Sequence, residues 1–346
     1  MEKCALCQTK EADKKGSHIV PLFLIQTMVN EEGKKGRDKQ ISIELGALST
    51  GLYFGRSVSM EKVNQVLGRE MTDEEIENQS DPFVFDNFFC SDCETRLSNI
   101  ESHYSTLTSS ITKYKDDLYV SKCQSKYSTL FWTSVIWRIS ASKIAGYNLG
   151  HEEEKLRVIL DETLTLKAGD LESKISESKI LDSVGYCIVY CPDQNDPTSR
   201  LFMAVPHLNN PSCIFINQYV LIFNSRGQFR SARSNSFFGF DNYNKEEAFN
   251  PLKNENEIVQ VISSDDFLPL IRDIFKFKAD VFQEKIQQLC HDIFLTLFKM
   301  PMPPTILGSV MHRIIHEDQS LPKANRYKIE RMSTIIGEEI IKAKNS

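Results

Sequence analysis

The sequence predicts an α+β chain in which helical segments and strands are segregated along the polypeptide. Two patterns carry that expectation. Beginning at Cys93, apolar residues fall at Leu97, Ile100, Tyr104, Leu107, Ile111, Tyr114 and Leu118. Steps of three and four residues line one face of a helix. Between 185 and 223 the period changes to aromatic and β-branched runs, "GYCIVYC", "RLFMAVPHL" and "CIFINQYVLIF". Runs of that composition, separated by Asp, Asn, Pro and Ser, read as a small antiparallel sheet.

Composition sets the frame. A chain of 346 residues, 41% hydrophobic and 25% charged, is long enough for a buried core and for two or three folding units. Its net charge of −6 excludes a general basic field for nucleic acid, although residues 1–40 hold eight Lys/Arg against six Asp/Glu. No apolar run approaches the ~18–20 residues that span a bilayer, and the N-terminus lacks a signal peptide's apolar core. Nine cysteines, four of them in Cys-x-x-Cys pairs, suit metal binding in a reducing compartment better than a disulfide framework. The expectation is a cytoplasmic chain with no membrane partner.

Taken in order, residues 1–30 hold a Cys pair and then "IVPLFLIQTMV", a strand entering a helix. Residues 31–85 read as an insertion, with a strand pair around "ISIEL" and "GLYFGRSV" and a short helix near "SMEKVNQVLG". The striped helix follows, and further helices are expected over 127–147 and 151–178. After the strands come helices at 265–298, 304–317 and 323–343. The expected domains are 1–120, a zinc module with its insertion and long helix, and 121–346, a mixed domain of unknown specificity. No Gly-rich phosphate loop or nucleophile elbow is present.

The strongest chemical signal is the pairing of Cys4/Cys7 with Cys90/Cys93. A two-residue spacer aims both sulfurs of a pair at one ion, and four thiolates make a closed tetrahedral zinc site. The second pair stands where a loop becomes a helix, as in treble-clef-like knuckles, and a helix N-terminus favours the thiolate. The site is therefore structural Zn²⁺ held by Cys4, Cys7, Cys90 and Cys93, across a gap of eighty-two residues (8–89). The other cysteines, at 123, 187, 191, 213 and 290, lie in apolar contexts and read as packing residues.

Together, "CALC", "SHIVP" and "DNFFCSDCE" resemble the zinc-bearing branch of the HNH, or ββα-metal, endonucleases, over residues 4–30 and 86–101. The Ser-His and Cys-Glu form is similar to an uncharacterised bacterial group, some members of which look linked to anti-phage defence. The resemblance implies His18 as general base, Asn87 as the residue steadying the histidine's loop, and Glu94 as ligand of a catalytic divalent metal such as Mg²⁺. It implies hydrolysis of phosphodiester bonds in DNA or RNA, with the C-terminal domain engaging substrate or a protein partner. The sequence departs from the pattern at Ser17, where active members carry Asp or His as a second metal ligand. The alternative is a catalytically degenerate zinc module, an adaptor or sensor that binds nucleic acid or protein.

Other features have structural readings beside the chemical ones. Asp86 is the nearest acid able to make up for Ser17; Glu101 lies roughly 10 Å along the helix from Glu94. His103 reads as a surface histidine. "HRIIH" sets His312 and His316 on one helical face, but Arg313 stands where a metalloprotease has its Glu. "HEEEK" (151–155) reads as a helix start with solvated acids, and Trp132 and Trp137 as core. The loop "RSARSNSFFGFDNY" (230–243) mixes Arg with aromatics, a mixture able to stack bases, though packing on the sheet is its simpler role.

Overall fold

The computed structural model describes residues 2–25, 41–45, 50–54, 58–72, 81, 83–164, 175, 181–193, 202–204, 212–225, 246–250, 255–316 and 328–344. The loop 230–243 and parts of the 31–85 insertion lie outside these residues. The described chain forms two compact units, 1–272 and 273–346. Residue 120, where the sequence suggested a boundary, lies in a strand inside the first unit.

The first unit begins with a pair of two-residue strands, β1 (Ser17–His18) and β4 (Val84–Phe85), antiparallel with Ser17 opposite Phe85 and His18 opposite Val84. Between them come a turn of helix, α1 (Leu22–Ile25), the strands β2 (Ile41–Leu45) and β3 (Thr50–Phe54), and α2 (Met60–Leu67). The strand pair and short helix expected in the insertion are therefore present. Helix α3 (Ser91–Thr108) grows directly out of the second Cys pair and buries Cys93, Leu97, Ile100 and Tyr104.

The long helix stops ten residues before Leu118, where the sequence stripe ended. Thr106, Thr108 and Ser109 return their hydroxyls to carbonyls three or four residues back, competing with helix continuation. The chain then forms a hairpin, β5 (Thr112–Lys115) and β6 (Leu118–Gln124), turned by Asp116 at φ 51°. Tyr114, on the expected stripe, is instead exposed on an edge strand flanked by Lys113 and Lys115, side chains that discourage edge-to-edge pairing.

Helix α4 (Ser125–Ala141) follows, then α5 (His151–Leu164). Four further strands, β7 (Gly185–Tyr190), β8 (Phe202–Ala204), β9 (Ser212–Ile216) and β10 (Tyr219–Asn224), precede β11 (Asn256–Val261). The run "CIFINQYVLIF" is thus two strands, because Asn217 takes φ 54° and closes a two-residue turn.

The sheet is larger than expected. Its nine described strands run in the order β3-β2-β8-β9-β10-β7-β11-β6-β5. It is also mixed: β2 pairs with β8 and β11 with β7 in parallel, and the other neighbours are antiparallel. Segments from the insertion and from the end of the expected helix supply four of the added strands. Near the middle of the sheet, β9 is buried on every residue and β7 on all but its last, which explains continuous apolar runs in place of alternation.

Helix α4 is buried on almost every side, including Trp132 and Trp137. Its buried hydroxyls satisfy themselves: Ser128, Thr129, Thr133 and Ser134 each donate to a carbonyl three or four residues back. Against this helix lies one fully buried carboxyl, Glu257 of β11. It accepts from Tyr186 Oη at 2.8 Å, Tyr104 Oη at 3.0 Å, Trp132 Nε1 at 3.2 Å and Ser121 Oγ at 3.2 Å. Helices α3 and α4 and strands β6, β7 and β11 thus meet at one acid. Burial pushes its pKa up to about 7, against the pull of those donors.

In the second unit the end of α6 (Ser264–Phe298), α7 (Pro304–His316) and α8 (Ile329–Lys344) share a core of Ile286, Cys290, Phe294, Val310, Ile314, Met332, Ile335 and Ile336. Arg313 pairs with Glu338 at 2.8 Å and Glu339 at 3.3 Å, tying α7 to α8, and His312 is exposed. The His316 side chain of "HRIIH" lies outside the described residues.

Glu257 has a pH consequence. Between its ordinary value of 4.5 and about 7 the folded chain binds more protons than the unfolded one, so stability is greatest below that window and falls as pH rises through it. Denaturant titrations of the native chain and Glu257→Gln from pH 4 to 8 should show the native chain losing on the order of 3 kcal/mol relative to the variant.

Candidate functional site

The first Cys pair sits on a tight turn. Gln8 N–H donates to Cys4 O at 2.9 Å, Cys4 N–H to Lys10 O at 2.9 Å, and Gln8 adopts φ 55°. Lys3 and Glu11 bridge the base of the turn. The turn docks on the second pair through Ala5 N–H to Phe88 O and Lys14 N–H to Phe89 O, each 3.0 Å. Cys90 caps α3 with its backbone only, and Asp13 supplies the missing side-chain cap, accepting from Ser91 N–H at 2.8 Å.

These turns bring Cys4, Cys7, Cys90 and Cys93 together, their sulfurs all within 4.8 Å of one another. Cys7 and Cys90 Sγ are 3.9 Å apart, close to the ~3.8 Å that tetrahedral bonds of ~2.3 Å impose. All four cysteines are buried and none forms a disulfide. Their protonation is mutually frustrated: donation from Cys93 holds Cys4 down at about 4, and the same contact with burial pushes Cys93 far up. Four ionised thiols need a cation between them, so the donor set fits a metal ion and matches zinc in geometry and type. The remaining five cysteines are buried and form no disulfide, in keeping with packing residues.

Around the clasp, the body of the first unit reaches in. Arg157 of α5 donates to Leu6 O at 2.6 Å and chelates Glu154. Lys10 pairs with Asp92, and Arg96 with Asp161 at 3.5 Å.

Glu94 lies one turn into α3, half buried. Burial raises its pKa above the ordinary carboxylate range; the Ser17 hydroxyl and the Arg138 guanidinium oppose the rise, and Glu101 adds to it. Glu94 therefore faces β1 and Arg138. Ser17 Oγ is fully buried and completes no hydrogen bond of ordinary geometry, near as it is to that carboxyl. His18 is half buried on the same strand, held by Ile19 N–H to Phe83 O at 2.9 Å.

The other expected residues fall differently. Asn87 meets the histidine's loop through its backbone, N–H to Lys14 O at 2.7 Å; its exposed side chain makes no hydrogen bond among the described residues. Its φ of 56° explains an Asn there. Asp86 accepts from Gly16 N–H at 2.7 Å and locks the turn. Glu101 is ion-paired to Arg138 at 2.6 Å. His103 is not a surface residue: it is half buried, its ring 4.7 Å from Tyr127. Of the "HEEEK" acids, Glu152 is buried rather than solvated.

Sequence reasoning missed Arg138, 1% exposed in the middle of the site. A signal was present: an arginine inside "SVIWRIS", set between the apolar Trp137 and Ile139. Comparison with protein-family models, curated proteins and solved structures finds no match for this chain. No helix among the described residues is long and apolar enough to cross a membrane.

Metal analysis of the purified chain should find one zinc per chain. Cys93→Ser or a strong chelator should remove it and lower the melting temperature, while Cys123→Ser leaves metal content unchanged. For Asn87, a backbone role predicts that Asn87→Gly retains stability and Asn87→Ala loses about 1 kcal/mol in denaturant unfolding.

Proposed function

We propose that the chain is a zinc-stabilised, HNH-like metal-dependent nuclease that hydrolyses phosphodiester bonds of DNA or RNA. One observation carries this reading: a Cys-clamped pair of strands presents Ser17 and His18 beside the first turn of a helix, where Glu94 holds a half-buried carboxylate. The clasp is structural, since four thiolates close the coordination shell of zinc.

His18 takes a proton from the attacking water. Glu94, with Ser17 beside it, is the group that would hold a catalytic divalent ion such as Mg²⁺, which supplies charge neutralisation at the phosphate and at the leaving oxygen. Asn87 contributes through its backbone, keeping the loop before His18 in register. The resemblance in "CALC…SHIVP…CSDCE" agrees with this assignment, and with it comes the suggestion of anti-phage defence and a cytoplasmic, nucleic-acid-directed role.

The second reading is a non-catalytic zinc adaptor. It is favoured by Ser17 in a metal-ligand position and by the prior engagement of both nearby acids, Asp86 with Gly16 and Glu101 with Arg138.

Incubation with plasmid and single-stranded DNA and RNA in Mg²⁺, Mn²⁺ or Ni²⁺ separates the two. The nuclease reading predicts cutting that His18→Ala abolishes and Glu94→Gln reduces at least 100-fold, with zinc content unchanged. Binding without cutting in every metal leaves the adaptor, and cutting indifferent to His18→Ala overturns the nuclease assignment built on His18.

A further inference from the structure

The strand that carries His18 is too short to hold itself. β1 and β4 share a ladder of two residue pairs, and so brief a ladder specifies register weakly. Gly16 and Ile19 on either side are tied to Asp86 and Phe83. A further constraint comes from 120 residues away. Arg138 Nη1 donates to the His18 carbonyl at 3.2 Å and to Glu101 Oε1 at 2.6 Å.

The guanidinium is aimed before it meets either partner. Its Nε donates to Ser134 O at 3.2 Å and its Nη2 to Ser134 Oγ at 3.4 Å, one turn back on α4. With those two corners of a planar fork engaged, the third nitrogen has one direction left. Its side chain is 2% exposed, so the charge requires a partner. Glu101, on the same helix as Glu94, is that partner.

We propose that Arg138 is a positioning residue for His18, fixing the histidine's peptide against helix α3 by one nitrogen shared between the His18 carbonyl and Glu101. This rests on the reading of His18 as the reacting histidine, and it goes beyond that reading by assigning a role to a helix outside the clasp. It also explains why Glu101 cannot stand in for the ligand that Ser17 lacks: its carboxylate is committed to holding the base in place.

The test uses the full-length, zinc-loaded chain with isotope-labelled histidine. The chain has seven histidines, and the His18 ring signals are identified by their loss in His18→Ala. Arg138→Lys keeps a positive charge able to reach Glu101, but an ammonium cannot reproduce the fork. Expected in Arg138→Lys are shifted His18 ring signals, unmoved signals from the exposed His151 and His312, and unchanged zinc content. Glu101→Gln should move the same signals by less. In the cleavage assay Arg138→Lys should lower kcat by about ten- to a hundredfold with KM within about twofold. His18 signals that stay in place in both variants overturn the proposal whatever the activity does. If the native chain cuts nothing, the nuclease reading fails alone, and the ring signals still decide whether Arg138 positions His18. Should Arg138→Lys not fold, Glu101→Gln carries the same decision.

Discussion

Everything at the N-terminal end depends on four sulfurs meeting across eighty-two intervening residues (8–89). Closing a loop of that length costs about 4 kcal/mol of chain entropy. Structural zinc bound by thiolates contributes on the order of 10–16 kcal/mol, so a metal bond outweighs the closure by a wide margin. Backbone hydrogen bonds between residues 5 and 88 and between 14 and 89 could not close that loop unaided. The clasp, in turn, allows β1 and β4 to be only two residues long, and it sets the first turn of α3 beside them.

The clasp does not act alone, because the body meets it with arginines. Arg157 takes the Leu6 carbonyl and Arg138 the His18 carbonyl. The first is a peptide oxygen of the clasp turn and the second of a strand only two residues long. Deeper in the same unit, Tyr104 of α3 donates to Glu257 of β11. The helix that leaves the clasp is thereby bonded to the sheet through a buried acid as well as through apolar packing. Three polar contacts, each directional, fix how the module sits on the core beneath it.

How much of this was legible in the sequence depended on range. The cysteine clasp was visible because a two-residue spacer is a local code. The three C-terminal helices were visible because Ile286, Cys290, Ile293 and Phe294, and later Met332, Ile335 and Ile336, repeat with helical period. The sheet was underread because β2 meets β8 and β6 meets β11 across more than a hundred residues, and no local pattern records such a pairing. Asp116 and Asn217 hid two hairpins: a left-handed φ at a single Asp or Asn interrupts an apolar run with little warning. At the candidate site His18 and Glu94 were read from their neighbours. Arg138, Asp13 and Arg157 were not, since their partners lie far off in the chain.

The pairing of β6 with β11 also fixes an order of events during synthesis. The last clasp ligand, Cys93, is made long before Asn256–Val261, the strand against which β6 and the Glu257 network assemble. At ribosomal speeds of ~5–20 residues per second that interval is on the order of ten seconds. A thiol cage can therefore capture its ion and close while the sheet is still incomplete. The helix that bears Arg138 lacks its buried acid partner layer until residue 257 has emerged. The nascent chain thus has its four clasp thiols early and the full setting of the site late, so an incomplete chain carries His18 without the finished core behind it.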